Sequence, residues 1–500
     1  MKKPALLIAL DQGTTGSRAY VLDAKGAVLG SAYREFKQYY PSPGWVEHDA
    51  LEIWDSVQDT GRKALRAAGL SVTTAPRHVA GLGITNQRET VVLWNRKEGR
   101  PVHKAIVWQC RRTASRCEQL KNKGLEPMIR RRTGLLLDAY FSGTKVEWLL
   151  KNVPGAAKAA AGGALALGTI DSWLLWNLSG GAAHATDYTN ASRTLLFDIR
   201  KKQWDPALLR LFKVPRAILP MVQASASRFG VTTATAFCGA GIPITGMVGD
   251  QQAALFGQGC VEPGSMKNTY GTGCFLLMNL GKRFKLSRHR LLTTLACGPD
   301  GGPAYAMEGA VFIGGAAVQW VRDGLGLIKG AAESERICRS LPDNGGVHLV
   351  PAFVGLGAPY WDSRARGVIN GLTRGTTAAH VVRAAVESMA FQSAELLEAM
   401  KKDSGLRVRR LRVDGGASKN DWLMQCQSDL SGVAVERPVQ IETTALGAGF
   451  LAGLGSGLIR SGSGNGQVPL QRRFRPALAK AERALKWEGW RQAVRQARAS

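Results

Sequence analysis

The sequence predicts a duplicated α/β fold, two halves of like design at residues 1–257 and 258–500, each opening on a glycine-rich hairpin. Three observations predict it. "ALLIALDQGTTGSRAYVLD" at 5–23 reads as an apolar strand, a Gly/Thr turn and a second strand, and "GSMKNTYGTGCFLLMNLG" at 264–281 repeats that design. Helical patterns at 49–68 and 376–405 interleave with the strands, as sheets covered on their faces require. The 500 residues, 45% of them apolar, suffice for large cores in two or three domains. Duplication of this kind implies that the two hairpin tips face each other across a cleft.

The elements follow in order. The start "MKKPALLIALDQG" imitates a signal peptide, but the apolar stretch ends at Asp11 and no small-residue cleavage site follows, so it reads as a first strand. The tip Asp-Gln-Gly-Thr-Thr-Gly is full of donors and nearly empty of bulk, as a backbone that approaches a ligand must be. "AAKAAAGGALALG" at 156–168 and "RSGSGNGQ" at 460–467 read as loops. "LRVDGGASKNDWLMQCQSDL" at 411–430 is a short strand, a Gly-Gly turn and a helix, whose N-terminal N–H groups suit an anion or a nucleotide. The uncharged window 443–459 is too short for a bilayer and reads as a buried helix. Near the C-terminus Trp487, Trp490, Val494 and Ala497 share one helical face and Arg491, Arg495 and Arg498 another, the pattern of a docked surface helix.

With 66 Lys and Arg against 38 Asp and Glu, the net charge is +28. Such a field attracts nucleic acid, anionic membranes or small anions alike and does not choose among them. Unselected surface charge is the preferred reading, and no nucleic-acid or membrane partner is expected. Eight scattered cysteines without a C-x-x-C motif point to reduced thiols in a cytoplasm. The scattered histidines offer no zinc spacing, which argues against a transition metal.

Common phosphate motifs fail. No G-x-x-x-x-G-K-[ST] occurs, and neither H-R-D nor D-F-G is present. "GAGFLA" at 447–452 fits G-x-G-x-x-A, but no strand precedes it and no acidic residue follows at the required distance, so close helix packing explains it. What remains is the pair of hairpins, which can bind phosphate through convergent N–H groups and Thr hydroxyls.

Nine strings, in order and inside a match that runs from about residue 5 to the "EGW" near 490, resemble the FGGY carbohydrate-kinase family: "LDQGTTGSRAYV", "GITNQRET", "VWQCRRT", "FSGTKVEWLL", "TDYTNASRTLLFDI", "GDQQAALFGQ", "KNTYGTGCF", "VPAFVGLGAPYWD" and "LRVDGGASKND". The resemblance is to those members that act on glycerol. It implies two actin/hexokinase-type (RNase H-like) ATPase domains with a catalytic cleft between them, the first carrying the glycerol site and the second the adenosine site. It also implies transfer of the ATP γ-phosphate to glycerol, giving sn-glycerol 3-phosphate. Asp11 would then hold Mg²⁺ through water, while Thr14, Thr15, Gly16 and Arg18 meet the nucleotide phosphates. The local alternative for Asp11 is an Asx turn that stabilises its own hairpin.

Asp250 is the implied general base, supported by Gln251; read alone, an acid at that position is as well explained as a helix N-cap. Arg88 and Glu89 would pair the hydroxyls of a diol through charge-assisted bonds, although adjacent Arg-Glu pairs are usually solvated. Tyr140 adds a hydroxyl, and Trp108 and Phe275 resemble the aromatics that cover the carbon side. Gly271 and Thr272 lie at the second tip. Gly315, Gln319, Gly416 and Asn420 resemble nucleotide-binding positions, with capping or surface polarity as the local alternative for Gln319 and Asn420.

The chain departs from the family pattern in three places. Gly16 stands where a serine is common, so a weaker phosphate contact with retained activity is expected; Ala139 replaces a proline before Tyr140, which loosens that tyrosine. "FCGAGIP" at 237–243 lacks the arginine that holds fructose 1,6-bisphosphate and a histidine for phosphotransfer activation, so no inhibition by that effector is expected. A homo-oligomer is expected. Two competing functions remain: a kinase for another polyol or ketose, and a non-catalytic actin-like ATP-binding scaffold.

Overall fold

The computed structural model describes residues 5–362, 364–461 and 468–499. The chain packs as two compact units, the first running to Val261 and the second starting at Glu262. Their membership is not contiguous along the chain. Thr293–Tyr305 and the helix Thr443–Gly455 belong to the first unit. Apolar burial draws them there: Cys297, Ala445, Ala448, Leu451 and Ala452 share one cluster with Leu7, Ala9 and Leu22.

In the first unit, strands β1 (Leu6–Gln12), β2 (Gly16–Asp23), β3 (Val28–Glu35), β4 (Val79–Asn86), β5 (Ala226–Val231) and β6 (Pro243–Gly249) form a six-stranded sheet in the order β5-β6-β4-β1-β2-β3. The β1–β2 hairpin is antiparallel, with Asp11 opposite Arg18. β4 runs parallel to β1, and β6 parallel to β4. Ile8 and Leu10 enter one core cluster and Leu7 and Ala9 another, so the near-continuous apolar run of β1 is a strand buried on both faces. Helix Ala50–Ala67, capped by Asp49 on the Leu51 N–H, packs on β2 and β3.

Helix Thr443–Gly455 packs on β1, β4 and β6. It approaches so closely that a Cβ at Gly83 would stand 2.2 Å from the Ala448 carbonyl oxygen, and one at Gly447 would stand 2.0 Å from that of Ala253. The glycines of "GAGFLA" therefore serve helix packing, as their context suggests.

Strands β7 (Met266–Tyr270), β8 (Cys274–Gly281), β9 (Leu292–Cys297), β10 (Pro303–Val311), β11 (Arg410–Asp414), β12 (Ala434–Pro438) and β13 (Leu470–Phe474) form a seven-stranded sheet in the order β9-β10-β8-β7-β11-β12-β13. β7–β8 is the second hairpin, β11 is parallel to β7, and β12 is parallel to β11. Strand for strand, β10-β8-β7-β11-β12-β13 repeats β3-β2-β1-β4-β6-β5. The duplication read from two hairpins thus extends through each sheet.

Two local expectations are corrected or completed. The small-residue stretch at 156–168 is not a loop: Ala156–Ala161 is helical and Leu165–Thr169 a strand buried along its length, because alanine favours helix and the Leu-Ala-Leu run has a sheet to join. The stretch 460–467 falls, beyond Ser461, outside the described residues. Helix Lys480–Ala499 docks through Trp490, Ala493, Val494 and Ala497, with Trp490 stacked on Phe391 at 5.0 Å, while Arg491, Arg495 and Arg498 are exposed. No helix among the described residues is long and apolar enough to cross a membrane.

Candidate active site

Ligands of open α/β sheets gather off the carboxyl ends of the parallel strands. In the first unit those ends lie level, Gln12 opposite Asn86 and Asn86 opposite Gly249. From them issue the tip Gly13-Thr14-Thr15, the run Gln87-Arg88-Glu89, and Asp250. Three sequence-distant candidates thereby meet.

Arg88, 2% exposed, is the hub. Its Nε stands 3.1 Å from Asp250 Oδ1, Nη2 donates to the Tyr140 hydroxyl at 3.4 Å, and Nη1 donates to Gln252 Oε1 at 3.1 Å. Arg88 and Glu89 are no solvated surface pair: both are buried, with Arg88 Nε 3.9 Å from Glu89 Oε1. That oxygen is taken instead by Arg193, whose Nε donates to it at 2.6 Å. Glu89 has a left-handed backbone, φ 63°, and Ser142 Oγ and Lys145 Nζ both donate to its carbonyl, at 3.1 and 3.4 Å. Burial pulls the Lys145 ammonium down to about 8, against the opposing charges of Glu89, Cys110 and Asp138.

Asp250 opens helix Asp250–Gly257 but is not its N-cap; Gly249 holds that position, and the acid occupies the first helical turn, where the helix dipole favours negative charge. The backbone before it is anchored: Gly249 N–H donates to Thr189 Oγ1 at 2.8 Å, and Thr189 N–H and Oγ1 donate to Asp187. Asn190 Nδ2 also donates to Asp187, and Asn86 Nδ2 donates to Asn190 Oδ1, which ties the β4 and β6 ends together. Burial pushes the Asp187 carboxyl up, with hydrogen bonds from Ser225, Asn190 and Thr189 opposing. Gln251 follows Asp250 half-buried, its N–H 2.6 Å from Asp250 Oδ1.

At the tip, Thr14 is half-buried and Thr15 exposed. Trp108 Nε1 donates to Thr14 Oγ1 at 3.0 Å, and its ring meets that of Tyr140 edge-on at 5.5 Å, so one indole touches both the tip and the Arg88 cluster. Arg18 lies over the Tyr33 ring at 5.0 Å. A Cβ at Gly16 would stand 2.6 Å from the Tyr33 hydroxyl. The glycine at 16 therefore makes room for a tyrosine on the neighbouring strand.

In the second unit, three elements converge. Gly315 N–H donates to the Gly271 carbonyl at 3.0 Å, and Gly314 and Ala316 N–H groups donate to that of Thr272, joining the second tip to the start of helix Gly315–Asp323. Gly415, at φ 84°, would place a Cβ 2.5 Å from the Tyr270 carbonyl oxygen, so the Gly-Gly turn abuts the end of β7. Gly415 is thus the constrained glycine; Gly416 is exposed with open space around its Cβ position. Thr272 and Gln319 are exposed. Asn420 caps helix Asp421–Ser431, accepting from the Leu423 N–H at 2.9 Å, so its carbonyl oxygen is engaged locally. Phe275, grouped by the sequence reading with Arg88 and Tyr140, belongs to this second unit, opposite Thr269 on β7.

Residues 6–257 match the N-terminal domain of the FGGY family of carbohydrate kinases, and 266–456 match its C-terminal domain. The chain belongs to that family. This FGGY kinase is 54% identical over 489 residues to glycerol kinase 2 of Thermotoga maritima, covering 98% of both chains. It is 55% identical over 500 residues to glycerol kinase of Shewanella amazonensis, covering 99% of both. Among solved structures, glycerol kinase of Plasmodium falciparum with ADP aligns at a TM-score of 0.91 and 34% identity, over 99% of both chains. The duplicated sheets are accordingly the two actin-type domains of an FGGY kinase.

Sequence reasoning overlooked Arg193, Lys145, Thr189, Asp187 and Gln252 as supports of this cluster. All five lie inside strings already quoted for the resemblance: Asp187, Thr189 and Arg193 in "TDYTNASRTLLFDI", Lys145 in "FSGTKVEWLL", and Gln252, two places after Asp250, in "GDQQAALFGQ". A charged residue in an otherwise small or apolar run, such as Lys145 or Arg193, was the available signal.

Proposed function

We propose that this chain transfers the γ-phosphate of ATP to a primary hydroxyl of glycerol, giving sn-glycerol 3-phosphate and ADP. The observation that carries the reading is the buried Arg88 guanidinium with the partly exposed Asp250 carboxylate 3.1 Å from its Nε and the Tyr140 hydroxyl at its other end. A small polyol needs such a set: donors and an acceptor for each hydroxyl, with aromatic carbon from Trp108 beside them. The names of relatives that match end to end, and the ADP in the Plasmodium enzyme, support the same chemistry.

Phosphoryl transfer asks for alignment and charge stabilisation more than for covalent help. Arg88, Glu89 and Gln251 orient the triol, and Asp250 accepts the hydroxyl proton as the bond to phosphorus forms. Because that transition state is loose, the carboxylate need not be a strong base, so an arginine neighbour that fixes its position is compatible with the role. Thr14, Thr15, Gly16 and Arg18 in the first unit and Gly271, Thr272, Gly315, Gln319, Gly416 and Asn420 in the second receive the nucleotide. Mg²⁺ fits Asp11, a partly exposed carboxylate beside the Thr14-Thr15 tip. Among the described residues no group of three or more His, Cys, Asp or Glu could hold a metal, which suits an ion that arrives with phosphate oxygens and water as its other ligands. When bound, it neutralises charge on the moving phosphoryl group.

We also infer a cytoplasmic enzyme, on eight free cysteines of which seven are buried, and a homo-oligomer, which light scattering tests. The function is tested by coupled ADP release over a panel of glycerol, other polyols and ketoses. Glycerol is expected to be preferred by about 10⁴ or more in kcat/KM, since sites that pair hydroxyls reject ill-matched analogues strongly. A larger sugar as the best acceptor would replace glycerol in this reading, and nucleotide binding with no acceptor at all would favour an ATP-binding scaffold.

A further inference from the structure

His48 is fully buried in the first unit, its ring edge-on to Phe36 at 5.0 Å, and none of the roles above uses it. Its two nitrogens join a circuit. Gln38 Nε2 donates to the Thr14 carbonyl at 3.0 Å, and Gln38 Oε1 lies 2.6 Å from His48 Nε2. On the other side His48 Nδ1 lies 3.2 Å from Gln87 Nε2, which also reaches Gln12 Oε1 at 3.1 Å. Thr90 Oγ1 donates to Gln87 Oε1 at 3.0 Å, and the Trp108 N–H donates to Thr90 Oγ1 at 3.2 Å. The Trp108 indole then closes the circuit on the hydroxyl of Thr14, whose carbonyl began it.

Most proton directions follow from the partners. Gln38 uses its amide N–H on a carbonyl, so its oxygen faces His48 and receives the Nε2 proton; Nδ1 is then an acceptor, and the donor in reach is Gln87 Nε2, whose two hydrogens are shared among Nδ1, Gln12 Oε1 and the Gly13 carbonyl at 3.3 Å. Gln87 Oε1 takes the Thr90 proton, which leaves Thr90 Oγ1 to accept from Trp108. At the far end, Thr14 Oγ1 accepts from the indole, so its own O–H points away as a donor to an anion. Buried polar circuits of this kind act as units, because each unpaired member costs the desolvation of the next.

We propose that His48 is a positioning residue whose neutral ring sets the Thr14 hydroxyl as a phosphate donor and couples it to Trp108 beside the triol. This rests on the reading of Thr14 as a phosphate contact and Trp108 as a glycerol contact. Three substitutions separate the links: His48→Gln keeps a donor toward Gln38, His48→Asn keeps an acceptor toward Gln87, and His48→Leu keeps neither. Trp108→Phe opens the circuit at its other end.

The test measures kcat, both KM values and Tm for wild type, the His48 variants, Trp108→Phe and the His48→Leu/Trp108→Phe double. The expected result is a roughly tenfold fall in kcat for each single variant that opens the circuit, with the double no more than about threefold below the worse single. Multiplicative losses, or a His48→Leu protein with kcat within about twofold of wild type, would overturn the proposal. Should His48→Leu not fold, His48→Gln and His48→Asn carry the same comparison. Wild type without glycerol-dependent ADP release would defeat the parent reading instead; ADP titration then reads the Thr14 end alone, and unchanged ADP affinity in the folded His48 variants would defeat this proposal as well.

Discussion

Replacement of Asp250 by Asn separates chemistry from architecture. Arg88 and Arg193 face Glu89 and Asp250, a locally neutral set that becomes +1 in the variant. Glu89 cannot compensate, since its Oε1 is 2.6 Å from Arg193 Nε and 3.9 Å from that of Arg88. Breaking a fully buried pair costs about 3–5 kcal/mol. Asp250 is 28% exposed, however, and an Asn Oδ1 can still face the guanidinium, which lowers the structural cost to about 1–2 kcal/mol. Loss of the proton acceptor is worth about 10² to 10⁴ in rate, or about 3–5 kcal/mol of barrier. The chemical effect therefore exceeds the structural one. In a coupled ADP-release assay at saturating glycerol and ATP, Asp250→Asn should lose at least about a hundredfold in kcat, with KM for glycerol within about threefold and a folded protein by circular dichroism. A variant with kcat within about tenfold of wild type would refute the base assignment. A large rise in glycerol KM with kcat intact would make Asp250 a binding residue only.

Other substitutions test the tips and the core. Gly415→Ala, at φ 84° with a carbonyl 2.5 Å from its new Cβ, should destabilise by about 1–3 kcal/mol in urea unfolding. Gly416→Ala meets nothing within 4 Å, so it should leave stability unchanged and, if the turn receives nucleotide, raise KM for ATP. Gly16→Ser should lower stability rather than improve phosphate contact, because its Cβ would lie 2.6 Å from the Tyr33 hydroxyl and 2.7 Å from the Arg34 carbonyl oxygen; combination with Tyr33→Ala should recover only part of the loss, since the backbone contact stays, as read by urea midpoint. Burial holds His48, His184 and His348 each down to about 4. The unfolded chain binds these protons near pH 6.5 and the folded one does not until about 4, so stability falls as pH drops through that window. The fall should be shallower in His48→Gln, measured by urea unfolding at steps between pH 7 and 4.5.

The hairpins, the buried first strand and the two-unit fold were legible because each is written in adjacent residues: an apolar run, a Gly/Thr tip, a second run. The same holds for the docking face of the last helix, where Trp490, Val494 and Ala497 follow helical spacing. The site was legible only in part. Arg88 and Glu89 are neighbours in the chain, but a neighbouring Arg and Glu ordinarily remain in water; what buries them is Arg193, 104 residues from Glu89, and Lys145 under the Glu89 carbonyl. The glycine at 16 looked like a lost hydroxyl until the Tyr33 ring was found in the space it leaves.

Taken alone, the sequence determined the period of the hairpin strands and of the longer helices, the two donor-rich tips and the acid at the head of a short helix, since these depend on backbone preferences over a few residues. Tertiary packing decided the rest. It returned helix Thr443–Gly455 to the first unit, in an approach that glycines at 83, 257 and 447, among others, make room for. It also paired Arg193 with Glu89, anchored Gly249 on Thr189, and closed the circuit through His48. Those choices lie beyond any local pattern because a buried polar atom must find its partner wherever the fold has placed one, near in space and distant along the chain.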